Sequence, residues 1–140
     1  MIRKMDTTTT YKTGYSWGYI HWIHPQPELC VKELHFFKGG ATSFHSHTHR
    51  NETLFISSGR FRIRILYPDS GITDTKDVGT GTRVFIRPNT HHQITAITEG
   101  TIIELTTNYN ENDIVRYEKP CLIDDGNTET GLSSQVHRMS

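Results

Sequence analysis

Residues 60–67 alternate between arginine and apolar side chains, and that alternation limits the folds open to the chain. Arg60, Arg62 and Arg64 share one face of an extended segment; Phe61, Ile63 and Ile65 share the other. The period is two, so the segment reads as a strand with one buried face. Apolar runs of four to eight residues recur along 15–107, rich in Val, Ile, Phe, Tyr and Thr and broken by Gly, Pro, Asn and Asp. The expected strands are 15–23, 29–37, 41–47, 52–58, 60–67, 82–87, 91–97 and 101–107. No window carries a 3.6-residue period of helical length. Many short strands of this kind close into a β-sandwich or barrel. Pro68-Asp69-Ser70-Gly71 reads as a turn, and Asn110–Asp113 as the cap of a short helical turn over Ile114–Tyr117. The pattern gives one all-β domain over 13–118. A polar, threonine-rich lead over 1–12 precedes it. A polar tail over 119–140 follows, either mobile or packed on the barrel through Leu122 and Ile123.

Composition removes several function classes. At 140 residues a single core is large enough to fold without disulfides or a structural metal. Fifteen basic residues balance fifteen acidic ones, which argues against nucleic acid as a partner. Mean hydropathy is −0.56 and no apolar run approaches membrane-spanning length, so no membrane association is expected. The opening MIRKMDTTTTYKTG lacks an apolar stretch, and no secretory leader is expected from it. Cys30 and Cys121 set no disulfide pattern and suit a reducing, cytoplasmic setting. Neither is marked as a nucleophile, and no glycine-rich nucleotide loop precedes a helix.

Histidine stands out. Of nine, five fall in two clusters: His45, His47 and His49, then His91 and His92. Residues two apart on a strand face the same way, so His45 and His47 project together, about 7 Å apart along the chain. A turn near 48–51 returns Glu52 beside them. His92, on another strand after Pro88-Asn89-Thr90-His91, completes a set of three imidazoles and one carboxylate. Such a set suits one divalent transition metal; Zn, Fe, Mn, Ni, Co and Cu all remain open. His49 has the same parity and reads as an alternative ligand, a substrate contact or a surface turn residue. His91 faces the opposite way from His92. His21, His24 and His35 read as surface or interface residues. Trp17 and Trp22 read as packing residues, and Phe36, Phe37, Phe44, Leu54, Phe55 and Ile56 as core or dimer-interface candidates.

The stretch from Gly39 through His45, His47 and Glu52 to Gly59 resembles the first signature of the cupin superfamily. Gly81, Pro88 and His92 resemble a looser form of the second, with Thr90 near the usual glycine. The resemblance implies a double-stranded β-helix, a jelly-roll barrel, with His45, His47, Glu52 and His92 as metal ligands. Over roughly 16–118 the chain is more closely similar to type II phosphomannose isomerase domains. Trp17-Gly18, Val31–Leu34, the run from His47 to Glu52, and the closing Asp113-Ile114-Val115-Arg116 carry that likeness. It departs at the centre: those domains often place Gln at the position of His45, and here His45 restores the general cupin ligand.

This second resemblance implies a metal-dependent enzyme interconverting mannose 6-phosphate and fructose 6-phosphate through an enediol. His49 and Glu104 are the candidate bases. Lys32, Arg50 and Arg116 are the candidate contacts to a phosphate or an oxyanion, Arg bidentately and Lys as a point charge. Two other readings use the same site: an Fe-dependent cupin oxygenase, and a non-catalytic module binding a small molecule or sugar. The resemblance also implies a homodimer, with the strand near Tyr15–Ile23 as a plausible edge.

Overall fold

The computed structural model describes residues 5–118 and 121–122. Two antiparallel sheets face each other. The first runs β1 (Tyr11–Tyr15), β2 (Gly18–Pro25), β3 (Cys30–Phe36), β11 (Gly100–Thr106), β6 (Glu52–Ser58) and β9 (Arg83–Ile86). The second runs β12 (Val115–Glu118), β5 (Phe44–Ser46), β10 (His91–Ala96), β4 (Gly40–Ala41) and β13 (Cys121–Leu122). On the other edge of β10 lies β7 (Arg60–Leu66), which pairs in turn with β8 (Thr73–Gly79). Strands distant in the chain are paired, β3 with β11 and β5 with β10, as a jelly roll requires. The described residues contain no helix. The all-β jelly-roll expectation therefore holds.

The inner face of the first sheet changes character along its length. At one end Ile20, Leu34, Phe36, Leu54, Ile56 and Ile102 are buried against Phe61, Ile63, Ile94 and Ala96 of the second sheet. Trp17 stacks on Tyr15 and on Phe36, with centroids 5.2 and 4.5 Å away. Each large apolar side chain buried here contributes roughly 1.5–3 kcal/mol. At the other end the same inward positions carry Lys32 on β3, Glu104 and Thr106 on β11, and Glu52 on β6, all buried. Burying charge away from water is expensive unless it is paired, so this polar end needs a reason to exist.

The arginine row behaves as its alternation requires. Phe61 and Ile63 are buried and Arg60 and Arg62 exposed. Gly59, in the turn from β6 to β7, has φ of 89°, and a Cβ there would sit 2.6 Å from the Glu99 carbonyl oxygen. Only glycine fits both constraints.

Four elements differ from the sequence expectation. The 15–23 segment is two strands, because the chain turns at Ser16-Trp17 and β1 folds back on β2. The end of the lead, Tyr11 and Lys12, therefore belongs to β1, and β1, not 15–23, lies at the sheet edge. Likewise, 41–47 splits into β4 and β5. The polar β8 was not expected as a strand: Val78 is its one buried side chain, so no alternation marks it. Its register places Asp77 opposite Arg62, where the two form a bidentate ion pair at 2.8 and 3.0 Å. Finally, Asn110–Ile114 makes hydrogen-bonded turns, but the chain then enters strand β12 in place of a helical turn, because the edge of β5 offers it a ladder. Phe36, Phe44, Leu54 and Ile56 are buried as expected, whereas Phe37 and Phe55 are exposed. The tail packing through the Leu122 side chain and Ile123 lies outside what is described.

Candidate metal centre

His45 sits on β5 and is directly paired with His92 on β10. Directly opposed residues of an antiparallel pair share a face, so both rings enter the barrel. His47 follows just beyond β5. Its carbonyl accepts the Asn89 amide at 2.7 Å, which ties the His47 segment to the turn before His92. Asn89 itself has φ of 62°, the left-handed conformation that asparagine tolerates better than other side-chain-bearing residues. Glu52 opens β6 and faces inward beside Thr106 and Ile86.

Each histidine is oriented through its Nδ1. That nitrogen lies 2.8 Å from the Ser43 carbonyl in His45, 2.6 Å from the Asp113 carbonyl in His47, and 2.9 Å from the Thr90 carbonyl in His92. A carbonyl oxygen only accepts, so each Nδ1–H donates; in neutral His45 and His47 that leaves the Nε2 lone pair free, while His92 Nε2 faces the Glu52 carboxylate. One ligand nitrogen from each ring lies within 4.8 Å of the others. Glu52 Oε1 joins them, 3.2 Å from His92 Nε2 and 3.5 Å from His47 Nε2. Donors bound at about 2.0–2.2 Å to one ion are themselves separated by about this much.

Among the described residues, His45 Nε2, His47 Nε2 and Glu52 Oε2 are buried without a hydrogen-bond partner. Buried polar atoms left unpaired cost about 1–3 kcal/mol each, so three around one point, beside the His92–Glu52 contact, call for a common partner. A divalent transition metal satisfies all of them, and three imidazoles with one carboxylate match its chemistry. The Nδ1 hydrogen bonds are the outer contacts that such a site uses to aim its ligands.

Electrostatics agree. Burial drives His45 well below the ordinary histidine range, and drives His47 down to about 3. Both are neutral, as ligation requires. Burial alone would raise Glu52, but the neighbouring His47, His92 and Arg50 hold it well below the carboxylate range. His92 moves the other way: burial lowers it, and the hydrogen bond and charge of Glu52 more than offset that.

A second polar layer lies beside the first. Arg50 is buried, donates from Nη2 to the Asn110 carbonyl at 3.1 Å, and places Nη1 3.9 Å from Glu52 Oε2. Lys32 Nζ lies 3.2 Å from Glu104 Oε2, and Thr106 Oγ1 donates to the same oxygen at 2.9 Å. The Tyr109 ring packs against both cations, 4.6 Å from Lys32 Nζ and 4.8 Å from the Arg50 guanidinium carbon. Burial lowers the Lys32 ammonium and raises the Cys30 thiol and the Tyr109 hydroxyl.

The sequence-derived candidates are thus distributed unevenly. His45, His47, Glu52 and His92 converge. Lys32, Arg50 and Glu104 are interior groups held in pairs, not an open cationic surface. Arg116 is half-buried on β12 directly opposite His45, and burial lowers it. His49 does not join the ligands. Strand β5 ends at Ser46, so the parity argument stops there. His49 is exposed, its amide bonded to Asp113 Oδ2 at 2.9 Å. His91 stacks on Tyr117 at 4.0 Å, away from the ligand cluster. Thr106 and Tyr109 have no assigned role in the sequence, and Asp113 reads there as part of a helix cap. Asp113 belongs to the Asp-Ile-Val-Arg run, which marked it without showing what it does.

The backbone resembles solved cupin structures. The structure of oxalate decarboxylase from Bacillus subtilis at pH 4.6 matches with a TM-score of 0.67 and 21% identity, over 76% of this chain. A variant of that enzyme matches with a TM-score of 0.67 and 20% identity over 77% of this chain. The match spans 30% of the length of either chain. No family model and no curated protein matches the sequence. The likeness establishes a cupin jelly-roll fold, and the metal-binding geometry rests on the residues described above.

Proposed function

We propose that this cupin-fold chain is a metal-dependent enzyme moving protons on a small dianionic hydroxycarbonyl substrate, a sugar phosphate before others. The buried Lys32–Glu104 pair beside the four-ligand cluster carries the proposal. Lys32, Arg50, Glu52 and Glu104 cancel in charge, so a divalent ion leaves these interior groups doubly positive, and Arg116 at the β12 edge adds one further charge. A dianion offsets most of this. When bound, the metal polarises a carbonyl and stabilises developing negative charge, worth several kcal/mol (~3–5).

The chain's own groups supply the remainder. Glu104 receives the proton from carbon. Lys32, whose ammonium is weakened by burial, returns one to the adjacent position and regains it from Glu104 across their 3.2 Å contact. Thr106 holds the carboxylate through its hydroxyl. Arg116, at the β12 edge opposite His45, meets the phosphate. Arg50 serves a different end from the phosphate contact first expected of it: it holds Glu52 in place. Homodimerisation through the β1 edge belongs to the same reading.

The test is to follow mannose 6-phosphate and fructose 6-phosphate by NMR in deuterated buffer with the metal-loaded chain. Interconversion with solvent deuterium incorporated at C2, lost in Glu104→Gln, supports the proposal. Tight binding without turnover points to a binding module, and oxygen uptake with an Fe-loaded site points to an oxygenase. Oxalate is a second dianion to test. The structural neighbours are named for its decarboxylation, and it matches the same charge balance.

A further inference from the structure

A second group of metal-type donors lies on the outer face of the first sheet, across the barrel wall from the centre described above. His21 on β2 is directly paired with Glu33 on β3, and His35 lies two residues further along β3 on the same face. Glu33 Oε1 is 3.0 Å from His21 Nδ1 and 3.2 Å from His35 Nε2. The three donors lie within 4.8 Å of one another. These separations resemble those between Glu52 and its histidines in the inner site.

The far side of each ring is also held. His21 Nε2 lies 2.8 Å from Thr10 Oγ1, and His35 Nδ1 lies 3.1 Å from Thr101 Oγ1. Each hydroxyl can accept the ring's other proton, which leaves the inward nitrogen to act as a ligand. Tyr19 stacks on His35 at 4.5 Å with nearly parallel planes, fixing that ring further. The side chains are about a quarter to a third exposed, so the cluster is open to solvent. His35 also lines a surface groove of about 330 Å³ together with Tyr19, Phe37, Glu99 and Thr101.

We infer that His21, Glu33 and His35 form a second, solvent-open site for a divalent transition metal. Two imidazoles and one carboxylate select Zn²⁺, Co²⁺, Ni²⁺ or Cu²⁺ over Ca²⁺ and Mg²⁺, which prefer oxygen. Water completes the coordination. With three protein donors against four, and with partial exposure, this site binds more weakly than the inner one.

The test titrates the metal-depleted 140-residue chain with Zn²⁺ in competition with a chromophoric chelator. The wild type is expected to bind two equivalents, the second more weakly. His21→Ala/His35→Ala loses the weaker equivalent and keeps the tighter one. His47→Ala does the reverse, which separates this inference from the inner-site assignment. Glu33→Gln keeps the shape and hydrogen-bonding capacity of the cluster without its charge, and it weakens the second equivalent at least tenfold. A stoichiometry and affinities unchanged by His21→Ala/His35→Ala or by Glu33→Gln, with the fold confirmed by circular dichroism, would overturn the inference.

Discussion

Asp113 holds the His47 segment twice. Its carbonyl accepts the His47 Nδ1–H at 2.6 Å, while its carboxylate accepts the Thr48 and His49 amides at 2.7 and 2.9 Å. Burial would raise its pKa, but the two amides hold it below the usual range. The residue therefore aims a candidate ligand from 66 positions away in the chain.

Asp113→Ala leaves the carbonyl but frees the loop that positions it. Metal affinity is expected to fall about 10- to 100-fold, the usual penalty for losing an outer contact of a ligand. Chelator competition measures it. An unchanged affinity means that the loop is held without the carboxylate.

The pH dependence of the metal-free chain follows from the signs of four shifts. His45 and His47 are lowered, so the unfolded chain takes up protons near the ordinary histidine value while the folded chain does not. Stability is lost as pH falls below about 6.5, by about 1.4 kcal/mol per pH unit for each proton. For His47 the window closes at about 3. Glu52 is also lowered, so its contribution, present above the ordinary glutamate value, is lost in the same direction. His92 is raised, and its contribution is present below about 6.5 and lost as pH rises through the folded value. Urea unfolding of chelator-treated protein is therefore expected to show greatest stability near pH 6.5. Because His92 is raised above the ordinary histidine value, binding metal at or below about pH 6.5 releases a proton from it, measurable as a buffer-dependent heat.

Lys32 and Glu104 offer a paired test. Lys32→Met strands a buried carboxylate and is expected to cost about 3–5 kcal/mol. Lys32→Met/Glu104→Leu removes both charges and recovers most of that loss. Denaturant unfolding of the two variants provides the comparison. A double variant no more stable than the single one would mean that the cost lies in packing against Trp22 and Tyr109, whose rings lie 4.9 and 4.6 Å from Lys32 Nζ.

Asn89 tests the turn before His92. Asn89→Gly keeps access to positive φ and is expected to change stability little. Asn89→Val forces a β-branched residue into the left-handed region, at a cost of about 1–3 kcal/mol, and it loosens metal binding through the shifted His92. Thermal unfolding and metal titration check both effects.

Much of this is visible in the residue order, for local reasons. The arginine and apolar alternation at 60–67 marks β7 because one face is buried and the other is not. His45, His47 and Glu52 announce themselves by strand parity and a short turn. What stays hidden depends on pairing. β8 is polar on both faces and exists because β7 offers it an edge. Ile114–Tyr117 has no strand signature strong enough to beat a capped turn until β5 lies alongside. His49 keeps the right parity on paper, but its strand ends three residues earlier. Lys32 and Glu104 are named in the linear reading as a phosphate contact and a base, but not as partners of one another. Their burial follows from the register that sets them face to face inside the barrel. The His21–Glu33–His35 cluster needs the β2–β3 register as well.

The central claim is that His45, His47, Glu52 and His92 bind one transition metal ion. Elemental analysis of the chain purified without added metal, beside a His45→Ala/His92→Ala variant of confirmed fold, tests it most directly. The account predicts that the wild type carries about one equivalent per chain more than the variant. Equal metal content in the two proteins would contradict it.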